Sequence, residues 1–344
     1  MSKRKQLCVA AMAATVLTLA GCSAATDTSE VASAEASGSE VINVLFIPYN
    51  TGNPYFDRLG FGMEEEAGIL GGSYSTDGPA LAGPTAQLPF ISDGLARGVN
   101  VIGIYANDPA AMTPQLSAAR AEGVAVLALG ADIETDGRDA AILATDNDIV
   151  GPALVDVLAG EINFEGKIAI LSGTPESPDH TYWIAGIEEY LKDPKFANIE
   201  VVEIAYGNDV PEQAFGEANA LLTKYPDLVG IIGVTTVAVS QAAQAVSTAG
   251  LGGKVAVTGL GLPNQMAPYL EDGTVNEFLL WDPADMGRIA SCLGNAIITG
   301  AIEIQPGAEF DCGEFGKRVI LEDGSVIAGG LISFTAANVG DFDF

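Results

Sequence analysis

A chain of 344 residues with 48% hydrophobic residues can bury a full core, and its length indicates two domains. Its 45 acidic and 15 basic residues give a formal net charge of −30. This charge argues against nucleic acid and anionic lipid as partners, because both are bound through clusters of lysine and arginine. The single histidine and the few cysteines show no metal-ligand spacing, so no metal site is expected.

The N-terminus has the pattern of a lipoprotein signal. Basic residues at positions 3–5 precede an apolar segment at 7–19, which is short for a bilayer span and leads into a small-residue site that ends at Cys22. We predict a signal peptide over residues 1–22 and a lipid on Cys22 that holds the exported protein at the periplasmic or extracellular face of a membrane. The alternative is an ordinary signal peptide cut near the same place. Residues 23–40 are small, polar and acidic and predict a flexible tether.

From residue 41 onward, strand-like and helical runs alternate. The predicted strands are 42–48, 101–105, 124–129, 167–171, 199–205, 228–234 and 255–259. One predicted helix begins near 54, a second ends at 122, and a later one ends at 249. Three more are predicted at 149–160, 182–191 and 212–224. Such alternation is typical of parallel sheets covered by helices on both faces, an α/β fold. The length fits two doubly wound sheets, divided near residues 144–148.

Two of the four cysteines are expected in the folded part. Cys8 leaves with the signal and Cys22 takes the lipid, which leaves Cys292 and Cys312 in an exported and oxidising setting. We predict a disulfide between them that fixes the C-terminal loop to the helix after Pro283. The alternative is a pair of free thiols.

An aromatic residue and a carboxylate follow the apolar run 277–280. The carboxyl ends of parallel strands present side chains to ligands, so Trp281 and Asp282 are placed to meet one. An aromatic plate beside a carboxylate suits a ligand with an apolar ring face and hydroxyl edges, which describes a sugar-like polyol. The alternative is a core tryptophan followed by a helix N-cap, with Pro283 at the first helical position.

The run GLGLPNQMAPYLEDGTVNEFLLWD at 259–282 resembles the periplasmic sugar-binding proteins of ABC importers, in the branch of the rhamnose-binding and autoinducer-2 (AI-2)-binding proteins. The resemblance extends from about residue 41 to the closing segment 338–344. It implies the type I periplasmic binding protein fold, in which two doubly wound lobes are joined by a multi-strand hinge. By this resemblance the N-terminal lobe is 41–145 plus the returning segment 283–330, and the C-terminal lobe is 146–282. Residues 281–283 and 327–334 would form hinge strands, with 327–344 as the last crossing and tail.

The resemblance also implies first-lobe ligand contacts. Tyr49 stands where the family often has a lysine, and Asn50 and Tyr55 share its loop, although Tyr55 can instead staple the start of the next helix. Asn107 and Asp108 follow the next strand, where the alternative role of Asp108 is to start a helix. Family members commonly carry an acidic pair after the fourth strand, of which this chain keeps Asp132, with Gly130 in the other place.

In the second lobe, Asp179, His180 and Trp183 match an Asp, Gln and Trp of the family. Asp179 and Trp183 are four positions apart and so share a helix face. Thr235 and Thr236 follow a later strand, where their hydroxyls can bind a polyol or cap the following helix. The family often has other residues there, and this departure, with Tyr49 and Gly130, puts the exact ligand in doubt.

These features predict a monomeric, lipid-anchored protein that binds a monosaccharide between two lobes and delivers it to an ABC transporter permease. The first candidate ligand is a rhamnose-like deoxysugar and the second is AI-2. An alternative function is that of a sugar receptor that passes its signal to a partner protein. We expect no enzymatic activity, because the sequence has no nucleophile-elbow pattern and no phosphate loop. No cofactor is expected either, since the turn at Gly259 and Gly261 has Asn264 where a dinucleotide fingerprint needs glycine.

Overall fold

The computed structural model describes residues 41–344. The predicted signal peptide 1–22, its Cys22 and the tether 23–40 lie outside the described residues. No α-helix within 41–344 is both long and apolar enough to cross a membrane.

Strands and helices alternate along the described residues. The strands are β1 (Asn43–Ile47), β2 (Ser73–Thr76), β3 (Val101–Ile104), β4 (Ala125–Leu129), β5 (Ala140–Leu143), β6 (Glu165–Ser172), β7 (Asn198–Tyr206), β8 (Leu228–Gly233), β9 (Ala256–Gly259), β10 (Glu277–Leu280), β11 (Glu309–Asp311), β12 (Lys317–Val319), β13 (Ser325–Ile327) and β14 (Ile332–Thr335). The α-helices are α1 (Pro54–Ile69), α2 (Leu88–Ala96), α3 (Pro109–Ala121), α4 (Asn147–Glu161), α5 (Pro178–Tyr190), α6 (Pro211–Lys224), α7 (Thr236–Thr248), α8 (Pro263–Glu271) and α9 (Pro283–Ile298). Many helices begin at a proline, whose fixed φ suits the first turn.

The first lobe is built on a parallel sheet of six strands in the order β13-β5-β4-β3-β1-β2. Val44 and Phe46 of β1 belong to a core with residues of α1 and α9, whereas Leu45 and Ile47 belong to a separate core with residues of α2 and α3. Helices therefore cover both faces of the sheet. Because both faces are buried, the inner strands are continuous apolar runs without a polar face.

The second lobe is built on a parallel sheet of four strands in the order β7-β6-β8-β9. A bridge between Leu260 and Leu279 extends this sheet to β10, which pairs antiparallel with β14. Helices again lie on both faces, since Gly230 of β8 packs against Leu158 of α4 and Gly233, on the opposite face, packs against Val239 of α7.

The chain passes between the lobes after β5, after β10 and after β13. Helix α9 follows β10 and returns to the first lobe, where it packs closely on α1. A Cβ atom at Gly62 of α1 would lie 2.0 Å from the carbonyl oxygen of Ala284 in α9. Trp281 and Asp282 therefore sit at the second passage, between a strand of one lobe and a helix of the other.

The elements predicted from the sequence are present, and four further strands and helices were missed. All seven predicted strands form, and β12, β13 and β14 lie in the C-terminal part of the chain that returns between the lobes. The missed elements are the edge strand β2, the short helix α2 and the strands β5 and β11. β2 is polar and half-exposed, so its four residues lack the apolar signal of a buried strand.

The Cys292–Cys312 disulfide predicted from the sequence is present. It joins α9 to the turn that connects β11 and β12. The C-terminal loop is thereby fixed to the first lobe, as predicted.

Candidate ligand-binding site

The carboxyl ends of parallel strands from both lobes face a common cavity, as expected for open α/β sheets. About 410 Å³ at this site is free of protein atoms, a volume that includes solvent at its open side. Its lining residues are Tyr49, Asn53, Tyr55, Phe56, Tyr105, His180, Trp183, Asp209, Val234, Thr235, Thr236, Leu260, Leu280 and Trp281.

Aromatic rings form the first-lobe wall of this cavity. Tyr49 follows β1 and Tyr105 follows β3, while Tyr55 and Phe56 lie in the first turn of α1. Asn53 caps that helix by accepting a hydrogen bond from the backbone nitrogen of Tyr55 at 3.1 Å. The Phe56 and Tyr105 rings lie 5.1 Å apart between centroids, in an edge contact. Packing between rings therefore fixes the wall that a ligand would meet.

The start of α5 provides the second-lobe wall. Asp179 accepts hydrogen bonds from Ser177 Oγ at 2.5 Å and from the backbone nitrogen of His180 at 2.9 Å. Trp183 donates its indole N–H to Asn147 at 2.9 Å, and its ring centroid lies 5.9 Å from that of Trp281. The two tryptophan rings are tilted by 59°, so they form a corner of the cavity.

His180 is buried at the same wall and has hydrogen-bonding capacity to spare. The residue is 7% exposed, and its Nδ1 atom has no hydrogen-bond partner among the described residues. Buried polar atoms in folded proteins are nearly always paired, so an unpaired one at a cavity suggests a partner supplied by a ligand.

Three hydrogen bonds connect the two sides of the cavity. The hydroxyl of Tyr105 donates to Asp179, and the hydroxyls of Tyr49 and Thr174 are hydrogen-bonded at 2.7 Å. The indole N–H of Trp281 donates to the hydroxyl of Tyr55 at 3.0 Å. The lobes are therefore in a closed arrangement. Burial raises the pKa of Tyr49 to about 12 and also raises the pKa of Tyr55 and Tyr105, so all three hydroxyls keep their protons at neutral pH.

Asp209 is a cavity residue that the sequence reasoning missed. It follows β7 and is 9% exposed, and its carboxylate accepts a hydrogen bond from Thr235 Oγ1 at 2.8 Å. Asn208 and Asp209 have φ angles of 54° and 52°, a left-handed conformation that non-glycine residues rarely adopt. Such local strain is concentrated at functional sites. Burial raises the pKa of the Asp209 carboxyl, and the nearby His180 opposes that rise.

Comparisons with known proteins decide the family. Residues 44–302 match the model of the periplasmic binding protein domain family. The crystal structure of a sugar ABC transporter from Actinomyces odontolyticus has 37% sequence identity, covers 88% of this chain and 98% of its own, and gives a TM-score of 0.73. The chain belongs to the periplasmic binding proteins of sugar ABC transporters. Members of this family bind substrates for transport and are not enzymes, and the fold is that of the type I periplasmic binding proteins.

Two further solved structures are similar to this sugar-binding protein. An ABC transporter solute-binding protein from Clostridium phytofermentas with bound L-rhamnose has 26% identity and a TM-score of 0.84, covering 88% of this chain and 98% of that one. LsrB from Clostridium saccharobutylicum in complex with AI-2 has 24% identity and a TM-score of 0.83, covering 88% and 100%. At 24% identity, the similarity to LsrB shows a shared fold alone.

The structure brings together most of the residues that the sequence singled out. The predicted residues that line the cavity are Tyr49, Tyr55, His180, Trp183, Thr235, Thr236 and Trp281, and Asp179 is bonded to the cavity residue Tyr105. Thr235 combines two roles, because it caps α7 by accepting from the backbone nitrogen of Ala238 and donates to Asp209.

Three predicted aspartates lie outside the cavity lining and have partners of their own. Asp108 caps α3, where it accepts from the backbone nitrogen of Ala111 at 3.1 Å. Asp282 caps α9 and forms an ion pair with Arg58 at 2.6 Å. Asp132 forms an ion pair with Arg138 at 2.5 Å and lines a neighbouring depression.

Two predicted asparagines are buried beside the cavity. Asn50 lines a neighbouring depression that shares Asn53 and Asp209 with the cavity. Asn107 donates its side-chain N–H to the carbonyl oxygen of Tyr49 at 2.9 Å. Asn107 therefore supports the loop that carries Tyr49.

Gln87 also supports the first-lobe wall and was missed. It is fully buried, donates to the carbonyl oxygens of Pro48 at 2.9 Å and Tyr105 at 2.8 Å, and accepts from the backbone nitrogen of Asn107 at 2.8 Å. One side chain thus joins the loops after β1 and β3, both of which carry cavity tyrosines.

Gly130 shows why the acidic pair of related proteins is incomplete in this one. Gly130 has a φ of 65°, and a Cβ atom there would lie 2.3 Å from the ring of Tyr105. A side chain at position 130 and the present position of the Tyr105 ring are therefore incompatible. Tyr105 occupies that space and directs its hydroxyl to Asp179.

Proposed function

We propose that this protein captures a monosaccharide, a rhamnose-like deoxysugar or a related sugar, between its two lobes and delivers it to an ABC transporter permease. The proposal includes a lipid on Cys22 that holds the protein at the outer face of a membrane, and a monomeric state. An exchange of Cys22 for Ala is expected to move the protein out of the membrane fraction.

One observation carries the choice of a sugar. A single cavity combines tryptophan and tyrosine side chains with the carboxylate of Asp209 and the free Nδ1 of His180, and its residue Tyr105 is bonded to Asp179. Aromatic faces suit the C–H side of a sugar ring, and carboxylates accept hydrogen bonds from its hydroxyls. Micromolar affinity requires about 8 kcal/mol, which three or four hydrogen bonds to charged acceptors at roughly 1.5–3 kcal/mol each, with ring contacts, can supply.

The apolar floor of the cavity favours a deoxysugar. Val234, Leu260 and Leu280 line it, and they offer contacts to a methyl group where a hydroxyl would find no partner. The relative with bound L-rhamnose supports the same class of ligand.

Closure is the signal that we expect the permease to recognise. A sugar that touches Tyr49 or Tyr105 on one lobe and His180 or Asp209 on the other has more contacts in the closed form than in an open one. Binding therefore shifts the population towards closure.

A thermal-shift screen of the purified protein tests this proposal. The panel contains 6-deoxyhexoses, hexoses, pentoses, polyols and AI-2. At a concentration of 100 times Kd, a ligand adds about 2.7 kcal/mol of stability, which gives a clear rise in Tm. A rise with AI-2 alone would support the second candidate, and conversion of a sugar to a product, or no rise with any compound, would contradict the proposal.

A further inference from the structure

Two buried carboxylates at the cavity lack a lysine or arginine partner: Asp209 lines the cavity, and Asp179 lies beside it, bonded to the cavity residue Tyr105. Asp179 is 4% exposed and receives hydrogen bonds from two hydroxyl groups and a backbone N–H, and Asp209 receives one from Thr235. Among the described residues that line the cavity there is no lysine or arginine, and His180 is the only base. Its Nε2 lies 3.9 Å from Asp179.

Other aspartates at the lobe boundary each have an arginine partner. Asp132 is paired with Arg138, and Asp282 with Arg58. Buried charges in proteins are normally paired because an unpaired one is costly to remove from water. Asp209 in the cavity lining and the adjacent Asp179 thus form a surplus of negative charge where the ligand binds.

The surroundings reinforce this negative charge. Asp146, Asp148 and Asp323 line a depression that also contains Asp179, in addition to Asp132, which is paired with Arg138. A ligand that carries a carboxylate or phosphate would approach like charges and, once bound, would find no cation to pair with.

A ligand with a protonated amine would be attracted by the same negative charges. It can donate to Asp209, which lines the cavity, through charge-assisted hydrogen bonds, which are stronger than those from a hydroxyl. The charge of the adjacent Asp179 adds to the attraction. The faces of Trp183, Trp281 and Tyr105 add attraction, since aromatic rings bind ammonium groups.

We propose that the cavity selects sugars by charge: it favours a sugar with a protonated amino group over the neutral parent, and it excludes sugars that carry a carboxylate or phosphate. The inference rests on the proposed sugar-binding function and adds to it the charge of the preferred sugar.

Calorimetric titration near pH 7 with matched hexose series tests the inference. Each series contains the hexosamine, the parent hexose and the hexuronic acid, for the gluco, galacto and manno configurations. In the series whose ring fits, the amine should bind about tenfold more tightly than the parent, and the acid should show no binding.

Two variants test whether the preference for the amine arises in the cavity. Asp209→Asn keeps the side-chain shape and should reduce the preference for the amine to about threefold. Asp227→Asn is the matched control, because it removes the same charge from an exposed residue that is paired with Lys167 at the amino end of its strand, away from the cavity. It should leave the preference unchanged.

The outcomes separate this inference from the proposed function. Binding of a neutral hexose with no gain for its amine, or measurable binding of an acid, would overturn the charge selectivity and leave sugar binding intact. If no sugar of any charge binds, the proposed function fails and the charge selectivity fails with it.

Discussion

At the scale of single residues, the local sequence did not reveal which aspartates serve the ligand. The position after a strand is also the position before a helix, and an aspartate there can cap the helix or face the cavity. Asp108 and Asp282 cap helices, whereas Asp209 faces the cavity. The same rule of strand ends applied to β7 would have found Asp209. The sequence does not show which carboxylate is neutralised by an arginine and which one stays unpaired.

The buried charge of Asp209 should reduce stability. Because burial raises its pKa, the folded state is penalised at every pH at which the carboxyl is ionised, and the penalty disappears only in acid. We expect Asp209→Asn to raise the free energy of unfolding at pH 7 by about 1 kcal/mol and to weaken sugar binding by about tenfold. Urea unfolding and calorimetric titration measure the two effects.

The exposed Asp227→Asn change should alter neither quantity noticeably. A loss of stability in Asp209→Asn would show that the carboxylate contributes to the fold more than it costs.

At the scale of elements, the sequence predicted the framework and the general position of the site. Strands such as β4, apolar throughout and bounded by turn residues, were predictable because parallel strands are buried on both faces. β2 and α2 were missed because a polar edge strand and a nine-residue helix carry too little periodicity. The role of Gln87 was equally hidden, since its hydrogen bonds reach loops 39 and 18 positions away in the chain.

Gln87 should act on the ligand through the loops it joins. Gln87→Met keeps the volume but leaves the carbonyl oxygens of Pro48 and Tyr105 without their donor, at a cost of about 1–3 kcal/mol for each unpaired group. We expect lower stability and, in the protein that remains folded, at least about tenfold weaker binding, because Tyr49 and Tyr105 lose their fixed positions.

Gln115→Met is the matched control, since Gln115 bonds to α2 outside the cavity loops. Urea unfolding and titration below the unfolding transition measure both variants. Unchanged affinity in folded Gln87→Met would limit Gln87 to a structural role.

At the scale of the whole molecule, the two lobes meet through tyrosine hydroxyls. Tyr49 bonds to Thr174, Tyr105 to Asp179, and Tyr55 accepts from Trp281. These contacts connect four separate parts of the chain, so no local pattern could predict them. The tyrosine hydroxyls that make them are neutral at physiological pH.

Because buried tyrosine hydroxyls connect the lobes, we expect the folded protein to lose stability at alkaline pH. The folded pKa of Tyr49 is about 12, and burial raises the pKa of Tyr55 and Tyr105 as well, whereas an unfolded tyrosine ionises near pH 10. The stabilisation is fully present below about pH 10 and is lost as pH rises through the folded pKa, by up to about 1.4 kcal/mol per pH unit for each tyrosine.

Urea unfolding between about pH 9 and pH 11 should show this decline, and Tyr49→Phe should make it shallower. Tyr206→Phe, outside the cavity, should keep the original slope. A stability that stays level over this interval would argue against the buried, protonated state of these hydroxyls.

The corner formed by Trp183 and Trp281 has a practical consequence. The chain contains only two tryptophans, and both lie in the cavity wall, one at the start of α5 and the other where the chain passes between lobes. All tryptophan fluorescence of the protein therefore originates at the binding site, with no background from elsewhere. Ligand entry and lobe opening can be followed in real time by intrinsic emission, without any attached dye.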